Sequence, residues 1–253
     1  MQWYFQIIEV FTLREIKSRY KSSILGPLWL ILYPLITSLF LSFIFEKIIK
    51  IKVGDSIPFF IFLYSGIIYW SFFEQGINLA KDSLVWNREL ITKTNFPKET
   101  LPISFIFSKI PDFFVNYIIF LVFLFIYKIN FSFSLVLLII SIIPLFLIST
   151  AIGLFFSFTN AIFRDFGRII EFLLMIGFYA TPVIYQETFV PKKYHLFLRL
   201  NPLANIITFN REIIFNKTVN INLFILALII GFFAFIFSLL IFRRFEKKVV
   251  DLI

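Results

Sequence analysis

The chain has 253 residues, of which 60% are hydrophobic and only 15% are charged, and its mean hydropathy is +0.92. A soluble domain is about a quarter charged, so this composition excludes a soluble globular protein and predicts that most of the chain contacts lipid. The net charge of +9 fits basic residues at the edges of membrane segments better than a nucleic-acid-binding surface. Cysteine is absent and His195 is the single histidine, which argues against disulfides and against cysteine- or histidine-based metal sites.

Residues 1–26 are predicted to form an amphipathic helix that lies in the plane of the membrane interface. Apolar side chains recur there at steps of three and four residues, whereas Arg14, Lys17 and Lys21 mark another face. The apolar series is Trp3, Ile7, Val10, Leu13, Ile16, Tyr20 and Ile24. A simple membrane anchor is the alternative role for this helix.

Six apolar stretches are predicted to cross the bilayer, because a spanning helix needs roughly 20 mainly apolar residues. They are Leu28–Phe45, Ile57–Leu79, Ile103–Tyr127, Phe133–Phe158, Ile169–Tyr185 and Leu223–Phe242. Lipid cannot satisfy open backbone groups, so all six are predicted to be helices. The third stretch contains Lys109 and Asp112 around Pro111, and this pair is predicted to snorkel towards the cytoplasmic edge.

An even number of spans places both chain ends on one side of the membrane. If that side is cytoplasmic, the inner segments hold more lysine and arginine than the outer ones, and the sequence RRFEKK after the last span supports this orientation. The chain is therefore interpreted as one transmembrane domain, 1–253. Spans one to five occupy 28–185, an outer segment 186–222, span six 223–242 and a cytoplasmic tail 243–253.

A short amphipathic helix is predicted between spans two and three. Asp82 or Ser83 can cap its start, and its apolar residues are Leu84, Trp86, Leu90 and Ile91. Phe96-Pro97 should end it, because the residue before a proline avoids the helical region. A solvated loop with ordinary positive charge is the alternative.

The segment 186–222 is apolar in patches and is predicted to form two short helices. Pro191 can begin the first, and Asn201-Pro202 provides a cap and first residue for the second, which carries Arg211. Neither helix is long enough to span a bilayer. Together they predict a re-entrant or interfacial pair on the outer side, where irregular backbone must be covered by protein or line a cavity.

Signatures of catalysis are missing from the sequence. There is no G-x-x-x-x-G-K-[ST] loop, and therefore no ATP site of that kind. No internal repeat is visible, and the middle of every predicted span lacks the deep ionisable groups of a proton-coupled transporter. The chain is therefore interpreted as a translocation unit that depends on a separate source of energy.

Four stretches resemble the membrane subunit of type-2 ABC exporters, in particular the polysaccharide branch of Wzm-type O-antigen export permeases. They are REIKSRYKSSILGPLWLILYPL at 14–35, NRELITKTNFPKETLP at 87–102, AIFRDFGRIIEFLLMIGFYATPVIY at 161–185 and NPLANIITFNREIIF at 201–215. The resemblance covers nearly the whole chain. It implies an all-α integral membrane fold with six transmembrane helices per subunit, an N-terminal interface helix, a cytoplasmic coupling helix and re-entrant outer gate helices.

The resemblance also implies partners and a location. Two copies of the chain would pair with two ATPase subunits, which bind ATP and magnesium, whereas this chain would bind no cofactor and carry no catalytic residue. The substrate would be a polysaccharide linked to polyprenyl diphosphate. The complex would lie in the bacterial inner membrane, in contact with lipid and with no nucleic acid, and both ends of this chain would be cytoplasmic.

Carried onto this sequence, the resemblance assigns three groups of residues. The coupling helix at Ser83–Ile91 would contact the ATPase through Ser83, Leu84, Trp86, Asn87, Arg88, Glu89 and Leu90. The interface helix would act through Arg14, Lys17, Arg19, Tyr20 and Lys21. The outer gate would include Pro191, Tyr194, Phe197, Asn201, Pro202 and Arg211.

Aromatic residues in the spans suggest a path for sugars. Sugar rings can pack their C–H faces on aromatic rings, while tyrosine and tryptophan also offer hydrogen bonds. The hypothesis is a channel at the dimer interface that is lined by Trp29, Tyr33, Phe40, Tyr64, Tyr69, Trp70, Tyr179 and Tyr185. Ordinary helix packing and interfacial aromatic belts are the alternative for each of them.

Three other functions compete with polysaccharide export. A type-2 ABC exporter of teichoic acid, lipid or a drug is the nearest of them. An integral-membrane polyprenyl-phosphate sugar transferase or acyltransferase would need a catalytic carboxylate, for which only Asp82 and Asp165 qualify, and neither has suitable partners nearby in the sequence. A purely structural scaffold is disfavoured by the patterned outer segment.

Overall fold

The computed structural model describes residues 2–21, 26–50, 58–129, 135–215 and 218–252. Within these ranges the chain is helical and has no strand, which confirms the all-α part of the predicted fold class. The helices are α1 Gln2–Lys21, α2 Gly26–Ser42, α3 Phe59–Trp86, α4 Arg88–Lys93, α5 Thr100–Phe107, α6 Ile110–Ile126, α7 Leu135–Ile140, α8 Ile142–Ile162, α9 Asp165–Ala180, α10 His195–Leu200, α11 Pro202–Ile214 and α12 Ile221–Leu252. A π-helical stretch, Phe43–Ile48, extends α2.

Four segments of the described chain are long and apolar enough to cross a membrane. They are Leu28–Ile48, Thr100–Ile126, Leu137–Ile162 and Ile221–Glu246, and they correspond to the first, third, fourth and sixth predicted spans. The predicted starts of the second and fourth spans, Ile57 and Phe133, lie outside the described residues.

The second and fifth predicted spans fall on α3 and α9, which are helical but different in character. Helix α3 has 28 residues and continues beyond the predicted end at Leu79, and it carries Glu74 and Lys81. Helix α9 has only 16 residues. Helix α9 is therefore shorter than the four apolar spans, and α3 is more polar than they are.

Helix α3 lies at the centre of the fold. Ile61, Leu63 and Tyr64 are fully buried, and α2, α5, α6 and α8 pack around the helix. Helix α8 comes close because Gly153 has no side chain: a Cβ atom there would lie 2.8 Å from the Cβ of Ala80. Small residues of this kind allow the close packing that holds helices together in lipid.

The two ends of α3 define two opposite ends of the molecule. At its start, the carbonyl of Phe62 accepts a hydrogen bond from Arg211 of α11 at 3.1 Å, and its ring stacks on Phe215. At its finish, Asn87 leads directly into α4. A helix of 28 residues is about 42 Å long, so we refer to the α11 end and the α4 end of the molecule.

The first and the last helix both contact the α4 end. Phe11 of α1 packs against Phe96, which follows α4, with ring centroids 5.3 Å apart. Near the other terminus, Arg243 of α12 donates a hydrogen bond to Glu99 at 2.9 Å. Helix α1 and the C-terminal part of α12 therefore meet at the same end of the molecule.

The third predicted span is divided at Ser108 and Lys109, between α5 and α6. Pro111 occupies the first turn of α6, where a missing amide N–H costs no helical hydrogen bond. Lys109 and Asp112 are 6% and 7% exposed and form an ion pair at 3.0 Å. The prediction that this pair snorkels to the membrane edge is wrong, because helices pack over it.

Candidate coupling and transport site

The short helix predicted after the second span is present but begins later than predicted. Helix α3 continues through Ser83 and Leu84, which are fully buried, and α4 covers only Arg88–Lys93. Ser83 caps no new helix, because its hydroxyl donates to the carbonyl of Ala80 within α3 at 2.7 Å. Ser83 and Leu84 are internal to the subunit, which corrects the predicted start of this surface to Trp86.

The surface around α4 combines an aromatic ring with charges. Trp86 is 60% exposed, and Arg88 and Glu89 are exposed beside it. Leu90 is half-buried, and Ile91 is buried and fixes the helix against the rest of the subunit. Tryptophan and arginine are enriched where proteins bind each other, so this surface has the composition of a docking site.

The chain leaves α4 in an extended conformation, as predicted from the proline at 97. Thr94 has φ −133° and ψ 145°. The Lys98 amine donates to the carbonyl of Thr94 at 2.7 Å and lies 4.1 Å from the centre of the Phe96 ring. Burial lowers the pKa of this amine, and the Glu246 carboxylate acts in the opposite direction. These contacts fix the direction in which the chain enters α5.

Helix α1 contacts the same surface. Arg14 donates a hydrogen bond to the side-chain oxygen of Asn87 at 2.5 Å, at the junction between α3 and α4. The hydroxyl of Thr12 donates to the carbonyl of Ser104 at 3.3 Å. Ile8 is buried in the same interface. Arg14 therefore joins α1 to the start of α4, while Thr12 and Ile8 hold α1 against the rest of the subunit.

The outer face of α1 is exposed and partly apolar. It presents Trp3, Phe5, Val10 and Leu13. Lys17 and Lys21, two of the predicted interface residues, are exposed as well, while the side chain of Tyr20 lies outside the described part of the structure. The predicted separation of the basic residues onto another face is therefore wrong, because apolar and basic side chains share the exposed side of α1.

Arg19 of α1 enters a buried group of charges at the break between α5 and α6. Its guanidinium donates to Asp112 at 3.1 Å and to the hydroxyl of Ser108 at 2.6 Å. Lys109 donates to the same Asp112 oxygen at 3.0 Å and to Gln75 of α3 at 2.8 Å. One carboxylate thus joins α1 to the transmembrane helices.

The predicted channel-lining aromatics divide into two groups, and in the first the side chains are exposed or half-buried. Trp29, Tyr33 and Phe40 of α2 are 57%, 49% and 62% exposed. Tyr179 of α9 is 64% exposed, and Tyr185, beyond the end of α9, is half-buried. The first four of these side chains are free to face a channel or a second subunit.

The second group is buried inside the subunit. Tyr64, Tyr69 and Trp70 are at most 4% exposed. Tyr64 donates to the side-chain oxygen of Asn116 at 3.2 Å, Tyr69 to a carbonyl of α7 at 3.3 Å, and Trp70 to Glu74 at 3.0 Å. Their polar atoms bind within the helix bundle, so these three residues belong to the core and present no surface to a channel.

The Asn201-Pro202 pair begins α11, as predicted. The Asn201 side chain accepts hydrogen bonds from the backbone amides of Leu203 and Ala204 at 3.0 and 3.2 Å, which is the usual N-cap arrangement. Its amide nitrogen also donates to the hydroxyl of Thr181 at 2.9 Å. The cap therefore attaches α11 to the end of α9.

The first predicted gate helix begins later than Pro191. A single 3₁₀ turn, Lys192–Tyr194, follows the proline and leads into α10. Pro191, Tyr194 and Phe197 are exposed, so this part of the segment is open at the α11 end of the molecule.

Arg211 is the buried centre of the α11 end, with an exposure of 7%. Its donors reach five neutral oxygens, which are the Ser65 hydroxyl and the carbonyls of Phe62, Pro182, Val183 and Tyr185. A Cβ atom on Gly66 would lie 2.7 Å from its Nη2 atom, so the glycine makes room for the guanidinium. The planar fork of arginine allows these bonds to form at once.

A cavity of about 300 Å³ lies beside Arg211. Its wall includes the rings of Phe62 and Phe215 and the charged groups of Glu187 and Arg199, and the latter two form an ion pair. Charged groups and aromatic faces together are suited to a polar, hydroxyl-bearing ligand.

The side chains that a metal- or carboxylate-dependent enzyme would need are not brought together in the described part of the chain. No group of three or more histidine, aspartate or glutamate side chains there is placed to hold a metal ion. Asp82 accepts a hydrogen bond from Asn160 at 2.9 Å and pairs with Lys81 at 3.7 Å. It therefore has a structural role next to α8.

These features are those of an integral membrane protein, with an exposed aromatic and charged surface at one end and a folded helical pair at the other. The family described as ABC-2 type transporter matches residues 6–215. The chain therefore belongs to the ABC-2 type transporter family. It is a transport permease rather than an enzyme, and ATP hydrolysis belongs to a separate subunit.

Several proteins of known function are similar to the chain. It is 30% identical to the O-antigen export system permease protein RfbA of Klebsiella pneumoniae over 250 residues. This alignment covers 98% of this chain and 95% of that protein. RfbA of Myxococcus xanthus is 28% identical over 77% of this chain and 75% of that protein. The polysialic acid transport protein KpsM of Escherichia coli is 26% identical over 81% of this chain and 80% of that protein.

Proposed function

We propose that this chain is the membrane subunit of an ATP-driven exporter that carries lipid-linked O-antigen polysaccharide across the bacterial inner membrane. The observation that carries this proposal is the similarity, over nearly the full length of both proteins, to an O-antigen export permease. The relative named for polysialic acid transport is less similar over a shorter part of the chain. Polysialic acid or another substrate of such exporters is therefore the second candidate.

We propose further that the chain crosses the membrane six times. The six passes are α2, α3, α5 with α6, α7 with α8, α9, and α12. The short helix α9 is continued by a turn at 181–186, and the carbonyls of Pro182, Val183 and Tyr185 in this turn accept hydrogen bonds from Arg211. Protein thus satisfies the irregular backbone, which is the condition for non-helical structure at membrane depth.

The α4 end is proposed to be cytoplasmic, with both termini on that side. The docking surface around α4, a basic α1 and the arginines near the end of α12 all lie there. Positively charged residues favour the cytoplasmic side. The α10–α11 pair then forms the outer gate segment.

Two copies of the chain are proposed to form the transport path between them. The exposed aromatics of α2 and α9 supply faces on which sugar rings can pack, and neither face is covered within one subunit. The polyprenyl diphosphate would enter with its lipid tail in the bilayer. Two ATPase subunits would bind ATP and magnesium and move α4 and α1.

The docking surface gives the first test. Trp86→Ala combined with Arg88→Glu should remove an aromatic anchor and reverse a charge, which costs about 2–4 kcal/mol at an interface centre. When this chain is purified through a tag after co-expression with the ATPase encoded beside it, we expect the double variant to lose at least about 90% of the bound ATPase, since each 1.4 kcal/mol is tenfold in affinity.

A matched control separates docking from folding. Lys192→Glu reverses an exposed charge at the opposite end of the molecule and should retain the ATPase fully. If the wild-type chain binds no ATPase with or without nucleotide, the proposed function fails. If the double variant binds as well as the control does, the ATPase docks elsewhere.

Two tyrosines give the second test, because the structure assigns them different roles. Tyr33 is half exposed and Tyr69 is buried with its hydroxyl bonded. In a strain that lacks its own O-antigen permease and depends on this chain and its ATPase, Tyr33→Ala should reduce surface O-antigen at normal protein levels. Tyr69→Ala should instead reduce the amount of protein, since removing a buried aromatic ring costs about 3–5 kcal/mol. Normal export by Tyr33→Ala would remove this residue from the path.

A further inference from the structure

Helix α9 is packed only lightly against its own subunit. Only Gly167, Ile170 and Leu174 are buried among its residues. A cavity of about 260 Å³ lies beneath its middle, between α9 and the side chains of Trp70 and Phe156. A helix with three buried residues and a cavity beneath it can shift with little loss of core packing.

The attachment at the α4 end is an ion pair. The amine of Lys81 on α3 contacts the carboxylate of Glu171 on α9 and also donates to the carbonyl of Gly167 at 3.3 Å. The Lys81 side chain is 5% exposed, whereas that of Glu171 is 59% exposed. Asp82 is the other carboxylate in reach, 3.7 Å from the same amine.

Close packing places this pair and leaves little freedom around it. Gly167 lies against Asn160 of α8, and a Cβ atom on the glycine would meet the Asn160 oxygen at 2.7 Å. Asn160 in turn donates to the carbonyl of Lys81 at 3.1 Å and to the Asp82 carboxylate. The first turns of α9 are thus held against the last turns of α3.

The same turns of α3 lead into the docking surface. Helix α3 continues without a break from Lys81 to Trp86, and Asn87 then joins it to α4. An unbroken α-helix transmits a displacement as a rigid body over so short a distance, because each residue is hydrogen-bonded to the next turn. A displacement of α4 therefore reaches Lys81 and, through the ion pair, Glu171.

We propose that the Lys81–Glu171 ion pair transmits the movement of α4 to α9 and so opens the path between two subunits. This inference rests on the proposed function, and both residues act as positioning residues rather than as substrate contacts. The exposed side of α9 carries Tyr179 and faces away from the subunit, so a shift of α9 changes the width of the proposed channel while α3 stays within the core.

Glu171→Gln is the decisive variant. It keeps the shape of an exposed side chain but removes the charge, so the subunit should fold and bind its ATPase. We expect ATP hydrolysis by the purified complex to continue while the polysaccharide exported per ATP hydrolysed falls about fivefold or more, the range of a typical coupling free energy. Arg168→Gln, an exposed charge one turn earlier on α9, should leave this ratio unchanged.

A covalent cross-link in place of the ion pair tests whether the pair transmits movement to α9 or only stabilises the subunit. The chain has no cysteine, so Lys81→Cys with Glu171→Cys can be linked by a membrane-permeant bifunctional thiol reagent. The unlinked double variant should be uncoupled, and linking should restore export per ATP. The double cysteine variant also provides the test if the Glu171→Gln variant fails to accumulate.

The outcomes separate this inference from the proposed function. Wild-type export per ATP in Glu171→Gln, or a linked pair that remains uncoupled, would overturn the transmission role while leaving an exporter. Absence of ATPase binding or of export by the wild-type chain would instead overturn the proposed function itself.

Discussion

Replacing Arg211 by methionine is expected to prevent the chain from accumulating in the membrane. The carbonyls of Pro182, Val183 and Tyr185 lie in a turn without helical hydrogen bonds between neighbours, and Arg211 donates to all three. A buried acceptor left without a donor costs about 1–3 kcal/mol, and a methionine side chain offers no donor in place of the guanidinium. The summed loss is comparable with the about 5–15 kcal/mol that stabilises a folded protein.

Two further variants test the geometry of this site. Arg211→Lys keeps the charge but has a single donor group, so we expect intermediate protein levels and a lower apparent Tm in nanodiscs. Gly66→Ala should be almost as damaging as Arg211→Met, because the added Cβ would meet Nη2 at 2.7 Å and the Val183 carbonyl at 3.0 Å. Lys192→Met, at an exposed basic residue of the same segment, is the matched control. Normal accumulation of Arg211→Met would contradict this account.

Local sequence signals predicted several boundaries well. The cap at Asn201-Pro202 and the end of α4 before Pro97 depend on chemistry within three or four residues, and the structure has both. The predicted start of α4 is wrong because the sequence carries no such local signal there. No glycine or proline lies in the last turns of α3, residues 77–86. The turn at Asn87 involves a hydrogen bond from its side chain to the carbonyl of Ser83 at 2.7 Å, which no spacing rule reveals.

The environment of apolar residues could not be predicted from the sequence. In a soluble helix the polar face identifies the outside, but in a membrane both the lipid-facing and the core-facing sides are apolar. Tyr33 and Tyr69 therefore look alike in the sequence, although one is exposed and the other is buried. The ion pair of Lys81 with Glu171 joins residues 90 positions apart, and such pairing follows from the tertiary packing alone.

Replacing Asp112 by asparagine is expected to release α1 from the transmembrane helices. The carboxylate accepts hydrogen bonds from Lys109 and Arg19, and its removal leaves two cations close together, of which Lys109 is 6% exposed. Breaking a buried pair in this way costs about 3–5 kcal/mol. Glu15 remains 3.5 Å from Arg19, so it balances the charge of Arg19 but leaves that of Lys109 unbalanced. Hydrogen exchange should therefore rise along α1 while the core of α3 stays protected.

A double-mutant cycle distinguishes lost pairing from lost shape. Lys109→Met removes the cation that Asp112→Asn leaves behind, and replacing a buried pair by groups of similar volume is often close to neutral. We expect the double variant to regain most of the Tm lost by Asp112→Asn, with a coupling energy of about 1–3 kcal/mol. Equal loss in the single and double variants would mean that Asp112 acts through Arg19 alone. Since Arg14 on the same helix contacts Asn87 beside α4, release of α1 should also lower ATPase binding. Lys47→Met is the control, at an exposed residue near the α11 end. It should change neither hydrogen exchange along α1 nor ATPase binding.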